Sequence, residues 1–201
     1  SNDIIKILDE NQTTAIWQYA PGLLSPEGVN VQGVKSLTGF TVAQRDGIMG
    51  SMGKGRLEGL SWGWTNGGTL SPRLIIQDSD SNSLEILGTY KTDDYISTGR
   101  LQHGKHISVF FADILPSRDA LRRILRDANV HIWTNREGVI RTDGKTLVAH
   151  FGRPGVQEIL LPDQTDIVPR EEIVTEREGN KVRVQTEQGQ TVWFQLVKET
   201  R

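Results

Sequence analysis

The chain has 201 residues, enough for one large domain or two small ones with a real hydrophobic core. Its 23 basic and 25 acidic residues nearly cancel, so it lacks the basic excess of a polyanion-binding protein, and no nucleic-acid partner is expected. It has no cysteine, which excludes disulfides, thiolate metal sites and a cysteine nucleophile, and no apolar run is long enough to span a bilayer.

Residues 3–10 place Ile4, Ile7 and Leu8 at helical spacing, with Asp3 as the cap. Residues 14–20 are β-branched and aromatic, as in a buried strand, and Pro21-Gly22 stops it. It reads as a parallel strand, yet only one short helix precedes it to supply a parallel neighbour. The expectation is that the chain is a piece of a larger protein and that the chemistry lies in the missing part. No signal-peptide pattern opens the sequence. The compartment stays open: periplasmic or secreted if the parent carries a leader, otherwise cytoplasmic. Ser25-Pro26-Glu27 reads as a helix or turn entry, after which Val31, Val34 and Leu37 share a helical face that Gly39 ends.

Residues 40–43 form a short strand. Residues 47–68 carry eight glycines and read as an irregular loop or loose hairpins. Short strands follow at 74–76 and 85–87, then a strong one at 105–111. The clearest helix is 116–129, with Leu121, Ile124, Leu125 and Ala128 in one stripe and charges on the other face. Residues 130–133 read as a strand. From about 139 strands come at short intervals, at 146–151, 156–161, 171–176, 181–186 and 191–196. Glu178-Gly179-Asn180 and Gln188-Gly189 form hairpin-type turns. The expected fold is α/β plus all-β: an incomplete α/β layer over 1–135, then an antiparallel, sandwich-like β module over 136–201.

Several of these segments, in this order, resemble a known arrangement. The run 17–22 (WQYAPG) with Leu37-Thr38-Gly39 resembles the later part of the flavodoxin-like or amidotransferase-like domain of β-galactosidase-like glycoside hydrolases, called the trimerisation domain. Residues 86–90 (ILGTY) resemble its LGxY strand, 104–111 its closing strand after a Gly-Lys turn, and 116–133 its last helix and strand. Residues 144–150 and 158–162 resemble the small C-terminal β domain of those enzymes. The first βα units of the domain are absent, the glycine-rich segment has no counterpart, and no catalytic carboxylate can be carried over. The resemblance implies a non-catalytic accessory region that supports assembly or shapes the rim of a neighbouring active site. Its partners would be the remainder of a larger glycoside hydrolase-like chain, with a homo-oligomer or a carbohydrate as further candidates, and no cofactor or membrane is expected.

Trp62 and Trp64 lie two apart, so in an extended segment both indoles point to one side. Exposed, they would make a platform for sugar rings, with Asn66 and Arg56 adding hydrogen bonds; buried, they would cover the core edge. Arg118, Arg122, Arg123 and Arg126 form a basic helix face, either solvated and paired with Asp119 and Asp127 or contacting a partner subunit through Arg118, Arg122 and Arg126. The run 47–55 fails as a phosphate loop, because Ile48 stands where the first glycine belongs and Gly55 where a Ser or Thr would bind magnesium. Residues 78–82 (DSDSN) begin like a calcium loop, but Ser83 and Thr89 break the EF-hand pattern and leave a polar turn or a looser cation site. His103 and His106 lack a third zinc ligand. His131 and His150 read as hydrogen-bonded strand residues. The adjacent pairs Asp93-Asp94 and Glu171-Glu172 point opposite ways on an extended chain, so neither can flank a glycosidic bond.

Overall fold

The computed structural model describes residues 2–63, 68, 69, 71–77 and 83–198. The protein is mostly β, with 44% strand against 16% helix. It divides into two compact units, Ser1–Ala128 and Asn129–Arg201.

In the first unit, helix α1 (Asn2–Asn11) precedes β1 (Thr14–Gln18), a two-stranded hairpin β2 (Leu24–Ser25) and β3 (Gly28–Val29), and helix α2 (Val31–Thr38). Strands β4 (Val42–Gln44), β5 (Ser51–Gly53), β6 (Ser61–Trp62), β7 (Leu74–Ile76), β8 (Glu85–Tyr90), β9 (Ile96–His103) and β10 (His106–Phe111) follow, then helix α3 (Arg118–Asp127). A curled mixed sheet runs β1-β10-β9-β8-β5-β6. Only β1 and β10 pair in parallel within it, Ile16 beside Val109, and the other pairings are antiparallel. The parallel neighbour of β1 therefore comes from downstream, through β10. Strand β4 pairs separately with β7.

Period-two alternation divides the apolar residues of β10 between the two faces of the sheet. Phe110 joins Val34, Phe40, Val42, Leu74 and Leu101 on one side. Val109 and Phe111 join Leu57, Leu87, Ala120 and Ile124 on the other. Helix α2 starts where the Asn30 side chain accepts the Gly33 N–H, and it ends at Gly39, whose φ of 84° suits a residue without Cβ. The Ser25-Pro26-Glu27 entry is thus the β2–β3 turn, and the helix cap lies five residues later. Helix α3 starts on the Ser117 cap and buries Ala120 and Ile124. Helix α1 departs from its expected face: Ile4 and Ile7 are exposed. Polar contacts hold it instead, since Asp9 accepts the Lys105 N–H at 2.8 Å and meets His106 Nδ1 at 2.7 Å.

The second unit contains β11 (Val139–Thr142), β12 (Thr146–Phe151), β13 (Gly155–Leu160), β14 (Thr165–Pro169), β15 (Thr175–Glu178), β16 (Lys181–Thr186) and β17 (Gln190–Lys198). They form two antiparallel sheets, ordered β11-β12-β17-β14 and β13-β16-β15. The inward residues of both sheets make one apolar cluster that includes Leu147, Phe151, Ile159, Val182, Val184 and Phe194.

Three expectations are corrected here. Residues 130–133 are not a strand; the Trp133 carbonyl accepts the Leu160 N–H at the end of β13, and the His131 ring packs edge-on to Trp133. Residues 171–174 are irregular, so the strand expected at 171–176 begins only at Thr175. The Gln188-Gly189 turn is not a hairpin, because β16 and β17 belong to different sheets.

Candidate functional site

The glycine-rich segment folds back onto the sheet. Strand β5 lies between β8 and β6, with Ser51 opposite both Tyr90 and Trp62. This pairing turns Trp62 inward, where its indole is 2% exposed and meets Phe111 edge-to-face at 5.7 Å. Of the two expected arrangements for this indole, core cover is therefore the one formed, and Trp62 offers no face to a sugar. Trp64 and Asn66 lie outside the described residues, as does the calcium-like run 78–82. Arg56 bridges Glu85 and Asp127, while Arg123 donates to the Arg56 and Glu58 carbonyls at 3.2 and 3.1 Å. Arg56 is thus a tether between β8, the turn at 55–57 and α3. The arginines named for a subunit contact lie on α3: Arg118 and Arg126 are exposed, and the largely covered Arg122 guanidinium lies 3.5 Å from Asp119.

Behind β5 lies a buried polar centre that sequence reasoning missed. The Arg73 side chain is fully buried. Its Nη2 donates to Asp93 at 2.6 Å, its Nη1 donates to the Ile48 carbonyl at 3.2 Å, and its guanidinium stacks 4.3 Å over the Tyr90 ring. The Tyr90 hydroxyl donates to the Leu74 carbonyl at 2.8 Å, and burial pushes its pKa far above the usual range. Gly47 makes room for the guanidinium, since a Cβ there would sit 1.9 Å from Arg73 Nη1. Asp113 is also buried; it accepts from the Gly50 N–H at 2.9 Å, the Ser51 hydroxyl at 2.7 Å and the Ile114 N–H at 2.7 Å. Burial raises its pKa, and these three hydrogen bonds oppose the rise. The arrangement clamps the loop 47–51 to the sheet. Two signals were available in the sequence: an arginine directly before the apolar run 74–76, and an aspartate closing the run 107–112.

A second polar group joins α1 to the β9–β10 turn. The His103 and His106 rings lie edge-to-face at 5.2 Å, and the Nε2 atoms of both are buried without a hydrogen-bond partner. Burial and the neighbouring imidazole hold the His103 pKa below its ordinary value. The His106 contact and the Lys105 N–H hold Asp9 below the usual carboxylate range. Beside this group, Lys6, Asp9, Glu10, Ser36 and Lys105 line a surface depression of about 460 Å3. Among the described residues no cluster of three or more His, Asp or Glu is arranged to hold a metal. In the second unit His131 Nε2 meets the Leu160 carbonyl at 2.8 Å, and His150 Nδ1 meets the Thr191 hydroxyl at 2.9 Å.

No family model and no curated protein matches the sequence. Solved structures do match the fold. The cold-adapted β-galactosidase from Rahnella sp. R3 aligns with 96% of this chain at a TM-score of 0.58 and 12% identity. The β-galactosidase from Bacillus circulans sp. alkalophilus aligns with 97% at 0.59 and 11%. Gan42B, a GH42 β-galactosidase from G. stearothermophilus, aligns with 99% at 0.56 and 13%. In each case the match spans only 30% of the enzyme's own chain. The expected resemblance to β-galactosidase-like glycoside hydrolases therefore holds as a likeness of fold over nearly the whole chain.

Proposed function

We propose that this chain is a non-catalytic accessory region of a glycoside hydrolase-like protein that supports domain or subunit association. One observation carries the reading: β-galactosidase structures cover 96–99% of the chain, while the chain covers 30% of each of theirs. On this reading residues 1–135 form a partial flavodoxin- or amidotransferase-like layer, and residues 136–201 form the small sandwich-like module. The buried Arg73 and Asp113 centre suits such a role, because it spends its charges internally on holding a loop. The solvent face of α3, with Arg118 and Arg126 beside Arg122, is the surface assigned to a partner subunit. The rest of a larger hydrolase chain is the other assigned partner.

The test uses an antibody to this chain on cells that make it. The expected result is a species far above 22.4 kDa, or a tight complex, that cleaves a nitrophenyl β-galactoside, alongside no cleavage by the isolated chain. A lone species of 22.4 kDa with no copurifying hydrolase would overturn the reading. So would turnover by the isolated chain that survives repurification.

A further inference from the structure

The second unit exposes a tryptophan that plays no part in its core. Strand β17 alternates over 191–195, with Val192 and Phe194 buried and Thr191, Trp193 and Gln195 outward. Trp193 is 44% exposed. Cross-strand pairing sets Arg141 beside Val148 and Val148 beside Trp193. On the far side the N–H of exposed Arg170 donates to the Trp193 carbonyl at 3.0 Å. One row across the sheet therefore reads Arg141, Val148, Trp193, Arg170. Above it lies the hydrogen-bonded pair of His150 and Thr191, and below it Gln195 and Val168.

Area and charge select the occupant. The exposed apolar surface is one indole and parts of three valines, Val139, Val148 and Val168, on the order of 200–300 Å2. A stable protein interface needs about 800 Å2 per partner. The nearby Asp166 carboxylate is taken by Arg177 at 2.8 Å, which leaves Arg141 and Arg170 setting the sign of the row. These two positions lie three interstrand spacings apart across β11, β12, β17 and β14, or roughly 14 Å at about 4.8 Å per spacing. That length suits an oligosaccharide better than a single sugar. An indole face takes the C–H groups of a pyranose ring, and a guanidinium takes a carboxylate through paired N–H donors. An oligonucleotide also combines flat rings with anionic groups, but it would need a longer cationic track than two arginines.

We propose that this face binds an acidic glycan, a uronate-bearing oligosaccharide stacked on Trp193 with carboxylates on Arg141 and Arg170. The inference stands on this sheet face alone and does not depend on the proposed accessory role. The test titrates the whole chain with tetragalacturonate, with neutral galactotetraose and with a short oligothymidylate. Calorimetry and the Trp193 indole resonance report binding. The expected result is saturable binding of tetragalacturonate that weakens with salt. It should fall roughly tenfold or more in Trp193→Ala and in Arg141→Ala, and Trp193→Tyr should retain part of it. Arg141→Ala keeps the test open should the tryptophan variant fail to fold. Absence of saturable tetragalacturonate binding, binding unchanged in both alanine variants, or equal or tighter binding of the neutral glycan or the oligothymidylate would overturn the proposal.

Discussion

The two units solve the same problem, holding a set of strands together, by different means. The second unit uses one apolar cluster fed by regular alternation in β12, β16 and β17, with its charged residues at the surface. The first unit divides its apolar residues among three clusters and fills the gaps with buried polar groups: Arg73, Asp113, Thr38, Ser51, Ser97, Thr98, His106 and Ser108. Several of these tie distant segments together. Trp17 Nε1 donates to Ser108 Oγ, which donates to the Thr38 carbonyl, linking β1, β10 and the end of α2. An apolar cluster tolerates exchange of one hydrocarbon for another of like volume. A polar centre tolerates little, because each remaining partner is left buried and unsatisfied.

The largest expected effect tests the apolar side. Phe194→Ala opens a cavity at the heart of the second unit and should cost about 4 kcal/mol, whereas Phe194→Leu should cost roughly 1 kcal/mol. Arg73→Met should cost about 3 kcal/mol in the first unit by removing the ion pair with Asp93, the hydrogen bond to the Ile48 carbonyl and the stack on Tyr90 together, and Arg73→Lys should recover little of it, since a single ammonium cannot copy the guanidinium's contacts. Denaturant melts combined with hydrogen exchange resolved by segment would locate each loss. The comparison breaks if Arg73→Lys is as mild as Phe194→Leu, for then the polar centre tolerates exchange like a hydrocarbon core.

The same contrast explains what could be read in advance. The strands at 146–151 and 181–186 were legible, because their apolar residues alternate. Helix α3 was legible from its apolar stripe, whereas α1 exposes Ile4 and Ile7 and already contains Asp3, the residue expected to cap it. Strand β9 was not legible: Ile96–His103 buries Ser97, Thr98 and Gly99 in place of large apolar residues, and its place is set by β8 and β10 on either side. Strands β11 and β14 were missed because each is short and buries at most one residue. Trp62 was placed by its paired strand, which a two-residue spacing rule cannot foresee. Arg73 escaped although it stands directly before the apolar run 74–76, because the partners that make its burial possible are brought to it by the fold: Asp93 twenty residues away and Ile48 twenty-five.

A smaller effect should come from Gly47→Ala. The new methyl would meet the Arg73 guanidinium, and a φ of 150° disfavours any L side chain. About 2 kcal/mol of the first unit's stability should be lost. The loss should shrink in an Arg73→Met background, because the clash and the clamp involve the same groups. Additive losses in that double mutant would place the strain in the backbone alone and remove Gly47 from the polar centre.

The smallest effect is a dependence on pH, and its sign follows from His103. The folded pKa lies below the ordinary 6.5, because burial and the His106 ring disfavour the imidazolium. As pH falls below 6.5 the unfolded chain takes up a proton that the folded chain refuses, so stability is lost until the folded His103 itself protonates. Asp9 acts in a separate and lower window. Its folded pKa lies below 3.8, so its contribution is present above that value and disappears as pH falls through the folded pKa. Hydrogen exchange of the β9–β10 region at neutral, mildly acidic and strongly acidic pH should therefore show two steps. His103→Phe should erase the upper step and keep the lower, while Asp9→Asn should do the reverse and loosen α1 as well. A wild-type profile without the upper step would mean that His103 protonates alike in the folded and unfolded chains, and the burial of this imidazole would then carry no stability that pH can reach.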